Sequence, residues 1–263
     1  MFNISLSGIG IMTEHPYIYQ TKIPVRSFEC DINRQWKPAS FFQHLTETAG
    51  HHAEKLGCGF DVMLARDLFW VHSRMKIKFL RFPTDGEKIT ITTWPKTIQQ
   101  KLFFVRDYQI HAEDGELLAA ASSAWLVINA TERRMVPPLS TGLDLPCIPD
   151  KTALEGTLDR LSVGEGGDER LKLTANYSSI DMLGHVNNSR YVEWICDSFP
   201  MERYKNQQLD WLQINYDKEI RPGEDVSVFL QEPDGEPSKW AVAGRNMSNG
   251  TRAFEAVGQW KQP

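Results

Sequence analysis

Two stretches of the chain place their apolar residues at helical spacing. In SFFQHLTETAGHHAEKLG, residues 40–57, Phe41, Leu45, Thr48 and Ala49 fall on one face; in NNSRYVEWICDSF, residues 187–199, Tyr191, Trp194 and Ile195 do the same. Each predicted helix is followed by a run of period two. Met75, Ile77 and Phe79 alternate with Arg74, Lys76 and Lys78. Leu212, Ile214 and Tyr216 alternate with Gln213, Asn215 and Asp217. That alternation predicts half-buried strands. Further strands are predicted in KITITTWP and in the long stretch from Leu102 to Ala130. In the second half they fall in DVSVFLQ and in the stretch from Lys239 to Gln262.

The two halves repeat one another. Asp31 stands ten residues before Phe41, and Asp181 ten before Tyr191. Asp114-Gly115 and Asn249-Gly250 each predict a hairpin between the last two strands of their half, and Trp125 and Trp260 each follow ten residues after the glycine. Four matches in one order predict a duplicated unit: one helix wrapped by a curved antiparallel sheet, an α+β layout. The expected boundaries are an N-terminal domain over 1–136, a Pro-, Gly- and Asp-rich connector over 137–169, and a C-terminal domain over 170–263. A connector of that length is expected to lie along the surface or to include some structure.

Composition narrows the class. With 263 residues the chain has room for two domains, and 41% hydrophobic residues, 8 Trp and 13 Phe supply a large aromatic core. No apolar run is long enough to cross a membrane as a helix, and the start MFNISLSGIGIMTEHPYIYQ carries no secretory pattern. Cys30, Cys58, Cys147 and Cys196 are scattered without a CxxC, which reads as free thiols in a reducing cytoplasm. A net charge of -5 argues against a general nucleic-acid binder.

The densest polar cluster is SSIDMLGHVNNSRYVEW, residues 178–194. It sets Asp181, His185, Asn187 and Asn188 at the start of the second helix. Unpaired N–H groups there can stabilise an oxyanion, and a histidine can relay protons near neutral pH. A plainer reading of the same residues makes Asn187 or Asn188 an N-cap and His185 a loop histidine.

The cluster resembles the signature of the acyl-acyl carrier protein (acyl-ACP) thioesterases of plant plastids and bacteria, roughly D-x-N-x-H-V-N-N-x-x-Y. It is matched here by Asp181, His185, Val186, Asn187, Asn188 and Tyr191. The stretches QHLTETAGHHAEKLGCG, WVHSRMKIKFLRFP, TTWP, FVRDYQI, SSAWLVIN and ERR resemble the bacterial branch, so the likeness covers nearly the whole chain. The resemblance implies a tandem (double) hotdog fold and hydrolysis of fatty acyl-ACP to free fatty acid and holo-carrier, with no cofactor. Asp181, His185 and Glu219 would be the catalytic residues, and Val186, Asn187 and Leu183 would lie at the substrate and oxyanion. The first half would shape the acyl pocket. Two departures stand out. The family asparagine two residues before the histidine is Leu183 here. In YDKEI, matching the plant motif YRREC, Glu219 is kept but the cysteine is Ile220, which removes a Cys–His nucleophile at that place. An acyl-CoA thioesterase and a non-catalytic acyl-binding protein are the alternatives.

Arg74, Lys76 and Lys78 on one strand face, with Arg81 nearby and Arg133 and Arg134 as a second basic pair, read either as a solvated face or as the docking site for an acidic carrier protein. His44, Glu47, His51 and His52 have a spacing a metal could use, but no HExxH or cysteine cluster accompanies them, and no metal site is expected. Asp31 is the first-half partner of Asp181, with Gln35 where His185 would repeat, so its expected role is structural. Two fused units can satisfy hotdog pairing internally or dimerise again, so a homodimer stays open.

Overall fold

The computed structural model describes residues 11–12, 15–233, 236 and 238–262; part of the amino-terminal stretch read for a secretory signal lies outside the described residues. The chain forms two compact units. Met1–Lys37, Gln43–His72 and Phe79–Thr157 make the first; Pro38–Phe42, Ser73–Lys78 and Leu158–Pro263 make the second.

Along the first half of the chain β1 (Ile11–Met12) and β2 (Tyr19–Pro24) precede helix α1 (Pro38–Lys55) and the short α2 (Phe60–Ala65). The strands β3 (Leu68–Phe79), β4 (Lys88–Gln99), β5 (Phe103–Ala112), β6 (Leu117–Asn129) and β7 (Met135–Val136) follow. Lys37 in extended conformation and Pro38 at the first helical position start α1. The predicted face is the buried one: Phe41, Leu45, Thr48 and Ala49 are all inside. The sheet order is β1-β2-β4-β5-β6-β3, with β7 paired to β6. The hairpin between β5 and β6 turns at Gly115, whose φ of +93° favours a residue without Cβ.

The second unit repeats the layout with β8 (Asp168–Thr174), α3 (Asn188–Asp197), α4 (Met201–Asn206), β9 (Gln208–Tyr216), β10 (Asp225–Gln231), β11 (Lys239–Asn246) and β12 (Arg252–Lys261). Residues 73–78 of β3 pair antiparallel with β9, Met75 opposite Ile214 and Ile77 opposite Leu212. Within this unit the strand order is β9-β12-β11-β10-β8. Tyr191, Trp194 and Ile195 are buried as the spacing predicts, and Tyr191 stacks on Phe254 at 5.0 Å. Truncating such a ring to alanine costs about 3–5 kcal/mol. The second hairpin turns at Gly250, φ +72°.

The connector is ordered by hydrogen bonds to each unit in turn. On the first, Ala153 N donates to buried Asp107 at 2.7 Å and Trp94 Nε1 donates to Lys151 O at 2.9 Å. On the second, Val163 N donates to buried Glu255 at 2.9 Å and Gln213 Nε2 to Asp159 O at 2.8 Å. Among the described residues no helix is long and apolar enough to cross a membrane.

Candidate active site

The segment before α3 is a loop held by its own backbone. Asp181 Oδ1 accepts the N–H of Leu183 at 2.9 Å. Asp181 O accepts that of Gly184 at 3.0 Å, and Asp181 N donates to His185 O at 3.0 Å. Gly184 closes this turn at φ +82°, the left-handed region where glycine carries no penalty. Val186 N then donates to Ile220 O at 2.9 Å, joining the loop to the segment that follows β9.

That joint brings three of the sequence-predicted residues together. His185 Nδ1 lies 3.9 Å from Asp181 Oδ1, and its Nε2 lies 3.6 Å from Glu219 Oε1. The side chains are 25% exposed for His185 and 41% for Glu219, so the pair faces solvent. Both distances exceed a hydrogen bond, as is common before a substrate is bound; a small side-chain movement closes the gap to Glu219. Glu219 does not sit on the polar face of a strand, as strict alternation predicts. β9 ends at Tyr216, because Asp217 N and Lys218 N both turn to Ala253 O at 2.8 and 3.1 Å, and Glu219 lies in the loop beyond.

No cysteine competes with this pair. Burial pushes the Cys196 thiol up to about 12 and the Cys58 thiol up to about 11, and it also raises Cys30 and Cys147. A thiol held above its ordinary value supplies little thiolate near neutral pH.

The expected oxyanion donors need correction. The N–H groups of Val186 and Asn187 are both used, by Ile220 O and Ser179 O at 2.9 Å each. The Asn187 side chain is the N-cap of α3, accepting from Ser189 N at 3.0 Å and from Ser189 Oγ at 2.6 Å. The loop's ties to its neighbours consume what the helix start would otherwise offer. Asn188, which the sequence already places in this cluster at the helix start, is half-buried at the first position of α3, where the backbone N–H has no helical acceptor. Leu183 is 48% exposed.

The basic strand face also needs correction. Arg74 is only 8% exposed and donates to Leu158 O at 2.6 Å. Lys78 is paired with Asp210 at 2.6 Å and Lys76 lies over the Trp211 ring at 5.1 Å. Alternation does point the three one way, but the start of the connector's second part covers that face, which withdraws Arg74 from docking. In the first unit Arg134 pairs with Glu132 at 2.6 Å and Arg133 lies over Phe69.

The histidine-rich helix disperses its ligand candidates. His44 bonds Glu29 at 2.7 Å, His51 pairs with Glu47 at 3.1 Å, and His52 faces Arg106 at 2.7 Å. Burial, and then the Arg106 guanidinium, push His52 down to about 3, so it stays a neutral acceptor.

The acyl-ACP thioesterase N-terminal domain model matches residues 16–139, and the C-terminal domain model of the same family matches 165–262. The chain belongs to the acyl-ACP thioesterase family. A chloroplastic acyl-[acyl-carrier-protein] hydrolase of Cuphea viscosissima is 31% identical over 258 residues, 92% of this chain and 62% of that protein. A chloroplastic palmitoyl-acyl carrier protein thioesterase of Cuphea hookeriana is 29% identical, over 87% of this chain and 58% of that one. The chain thus spans about three-fifths of the length of these curated relatives. The crystal structure of an acyl-ACP thioesterase from Bacteroides thetaiotaomicron superposes with a TM-score of 0.85 at 27% identity, covering 95% of this chain and all of that one. The 12:0-ACP thioesterase from Umbellularia californica, at 22% identity and a TM-score of 0.80, shares the fold. This member of the acyl-ACP thioesterase family is therefore a tandem hotdog protein, and its polar loop lies within the part matched by the C-terminal domain model.

Proposed function

We propose that this chain hydrolyses the thioester of a fatty acyl chain carried on acyl carrier protein. The observation that carries the reading is His185 set between Asp181 and Glu219, at 3.9 and 3.6 Å, in a loop where a family model matches. Glu219, acting with His185, takes a proton from water as its oxygen bonds to the thioester carbonyl carbon. The tetrahedral oxyanion forms beside the start of α3, where Asn188 is the remaining donor. The C–S bond then breaks, the proton taken from water passes from Glu219 through His185 to the phosphopantetheine sulfur, and free fatty acid and holo-carrier leave. Glu219 and His185 are the residues assigned to proton transfer, Asp181 holds the loop that carries His185, and the reaction as written uses no cofactor. The four free cysteines support a reducing compartment such as the cytoplasm.

The test is turnover across acyl chain lengths on carrier protein, with matched acyl-CoA substrates alongside. Carrier substrates are expected to have the higher kcat/KM; a preference for acyl-CoA would move the assignment to an acyl-CoA thioesterase. Leu183, in place of the family asparagine, favours one second reading: an acyl-binding protein that no longer turns over. Bound fatty acyl chain with no release on any substrate would establish that instead.

A further inference from the structure

Between Arg160 and Lys261 two positive charges have no carboxylate partner among the described residues, and both flank the candidate base in sequence. From Arg160 to Lys261, every other lysine and arginine lies within 3.9 Å of a carboxylate oxygen. Lys218 and Arg221 are exposed and have no acidic side-chain partner among the described residues. They flank Glu219, one residue before it and two after. The nearby carboxylates are occupied. Asp217 holds Arg252 at 2.9 Å and Arg160 at 3.7 Å. Glu224 accepts from the Arg221 backbone N–H and from Asn246 Nδ2, both at 2.7 Å.

The loop before α3 carries large exposed apolar side chains. Tyr177 is 96% exposed and Met182 87%, with Leu183 between Met182 and the Gly184 turn. These residues belong to the loop that Val186 N ties to Ile220 O, between Glu219 and Arg221. Large apolar side chains exposed on a loop that is hydrogen-bonded to the segment carrying two unpaired cations suit a partner-binding surface.

We infer that Lys218 and Arg221, with Tyr177 and Met182, form the docking surface for the acidic carrier protein. This rests on the function proposed above, and it replaces the β3 face, whose cations are engaged within their own unit. The occupant is an acidic protein surface because the uncompensated charge here is positive, and the carrier must set its thioester within reach of Glu219. Steering by such uncompensated charges acts mainly on association.

The test is charge reversal of both positions, K218E with R221E. A matched control, K205E with K239E, carries the same change in net charge at cations of the same unit that already have acidic partners. Affinity for unacylated holo-carrier, read by fluorescence anisotropy, is expected to fall about tenfold or more at low salt for the first pair, with the gap to wild type closing as salt rises. The control pair should fall far less. With acylated carrier the first pair should raise KM by a comparable factor, and this loss should exceed the loss on an acyl-N-acetylcysteamine thioester. Unchanged carrier affinity, or equal losses for the two pairs, overturns the surface. A matching loss on the small thioester, with carrier binding intact, would mean that the loop serves chemistry alone. Wild-type binding of the holo-carrier without turnover would refute the proposed hydrolysis and leave the surface standing; turnover with unaltered docking would do the reverse.

Discussion

The two halves of the chain build the same loop and put different chemistry on it. Asp31 Oδ1 accepts the N–H of Asn33 at 2.8 Å, as Asp181 Oδ1 accepts that of Leu183 at 2.9 Å. Asp31 N donates to Gln35 O as Asp181 N does to His185 O, and Trp36 N reaches Pro83 O as Val186 N reaches Ile220 O. Even the left-handed residue recurs, Arg34 at φ +58° for Gly184 at +82°. On this shared frame Gln35 stands for His185 and Phe82 for Glu219, since Arg81 N and Lys218 N make the same turn toward Leu118 O and Ala253 O. Phe82 is buried where Glu219 is exposed. The duplicated backbone is a scaffold, and the proposed activity depends on two side chains that only the second half carries.

Breaking that pair should have the largest effect. His185→Ala and Glu219→Ala are expected to lower kcat by about 10²–10⁴ while the protein stays folded, the usual size for losing an acid–base group. Gln35→Ala, at the matching place in the first half, should leave kcat within a few-fold. Cys196→Ala should also keep activity, given its raised thiol. An inactive Cys196→Ala beside a near-normal Glu219→Ala would sink the mechanism.

The next effect runs the other way. Leu183 occupies the frame position that Asn33 holds in the first half, so the turn itself tolerates asparagine. Because Leu183 is half exposed, Leu183→Asn buries no unpaired amide and should leave Tm nearly unchanged. If the family asparagine polarises the carbonyl or places the water, kcat should rise, by up to about 10²–10³, with KM little changed. An unaltered kcat at normal stability would show that the leucine has not cost the site its rate.

What could be read in the sequence follows from how local each feature is. Both helices and their buried faces came from spacing alone, because a 3.6-residue period records which side meets the core. The Asp–His–Glu grouping came from resemblance, and the structure brings it together with long-range hydrogen bonds such as Val186 N to Ile220 O, which no periodicity encodes. The end of β9 depends on Ala253 O, on a different strand, which a period-two pattern does not record. Arg74 was misplaced because its partner, Leu158 O, is 84 residues away in the chain. The donor assignment to Val186 and Asn187 failed for a related reason: whether an amide is free depends on which carbonyl the fold brings beside it.

A third, smaller effect concerns Asn188. If its N–H and side chain face the developing oxyanion, Asn188→Ala keeps the backbone donor and removes only the side-chain one. A loss in kcat of about tenfold is expected, below the 10²–10³ that removal of a sole donor costs. Pro38 holds the corresponding place in the first half and has no N–H at all, consistent with a first half that does no such work.

The smallest effect asks what Asp181 does. Asp31 keeps the same turn with no histidine beside it, accepting N–H groups from Asn33 at 2.8 Å and Gln35 at 3.0 Å. The aspartate is therefore a turn residue first, and its nearness to His185 comes with the frame. Asparagine keeps an Oδ1 acceptor and removes the charge, whereas alanine removes both. Asp31→Ala and Asp181→Ala should each lower stability by about 0.5–1.5 kcal/mol for each backbone hydrogen bond lost, read as a fall in Tm, with Asp31→Ala the costlier because it loses two. Asp181→Asn should keep its Tm and most of its kcat, because 3.9 Å from a partly exposed carboxylate gives His185 little electrostatic support in water. Asp181→Ala should lose rate as well, because His185 is carried on the loop that comes loose. If instead Asp181→Asn is as slow as His185→Ala at normal Tm, the charge itself takes part in the reaction, and the likeness to Asp31 ends at the backbone.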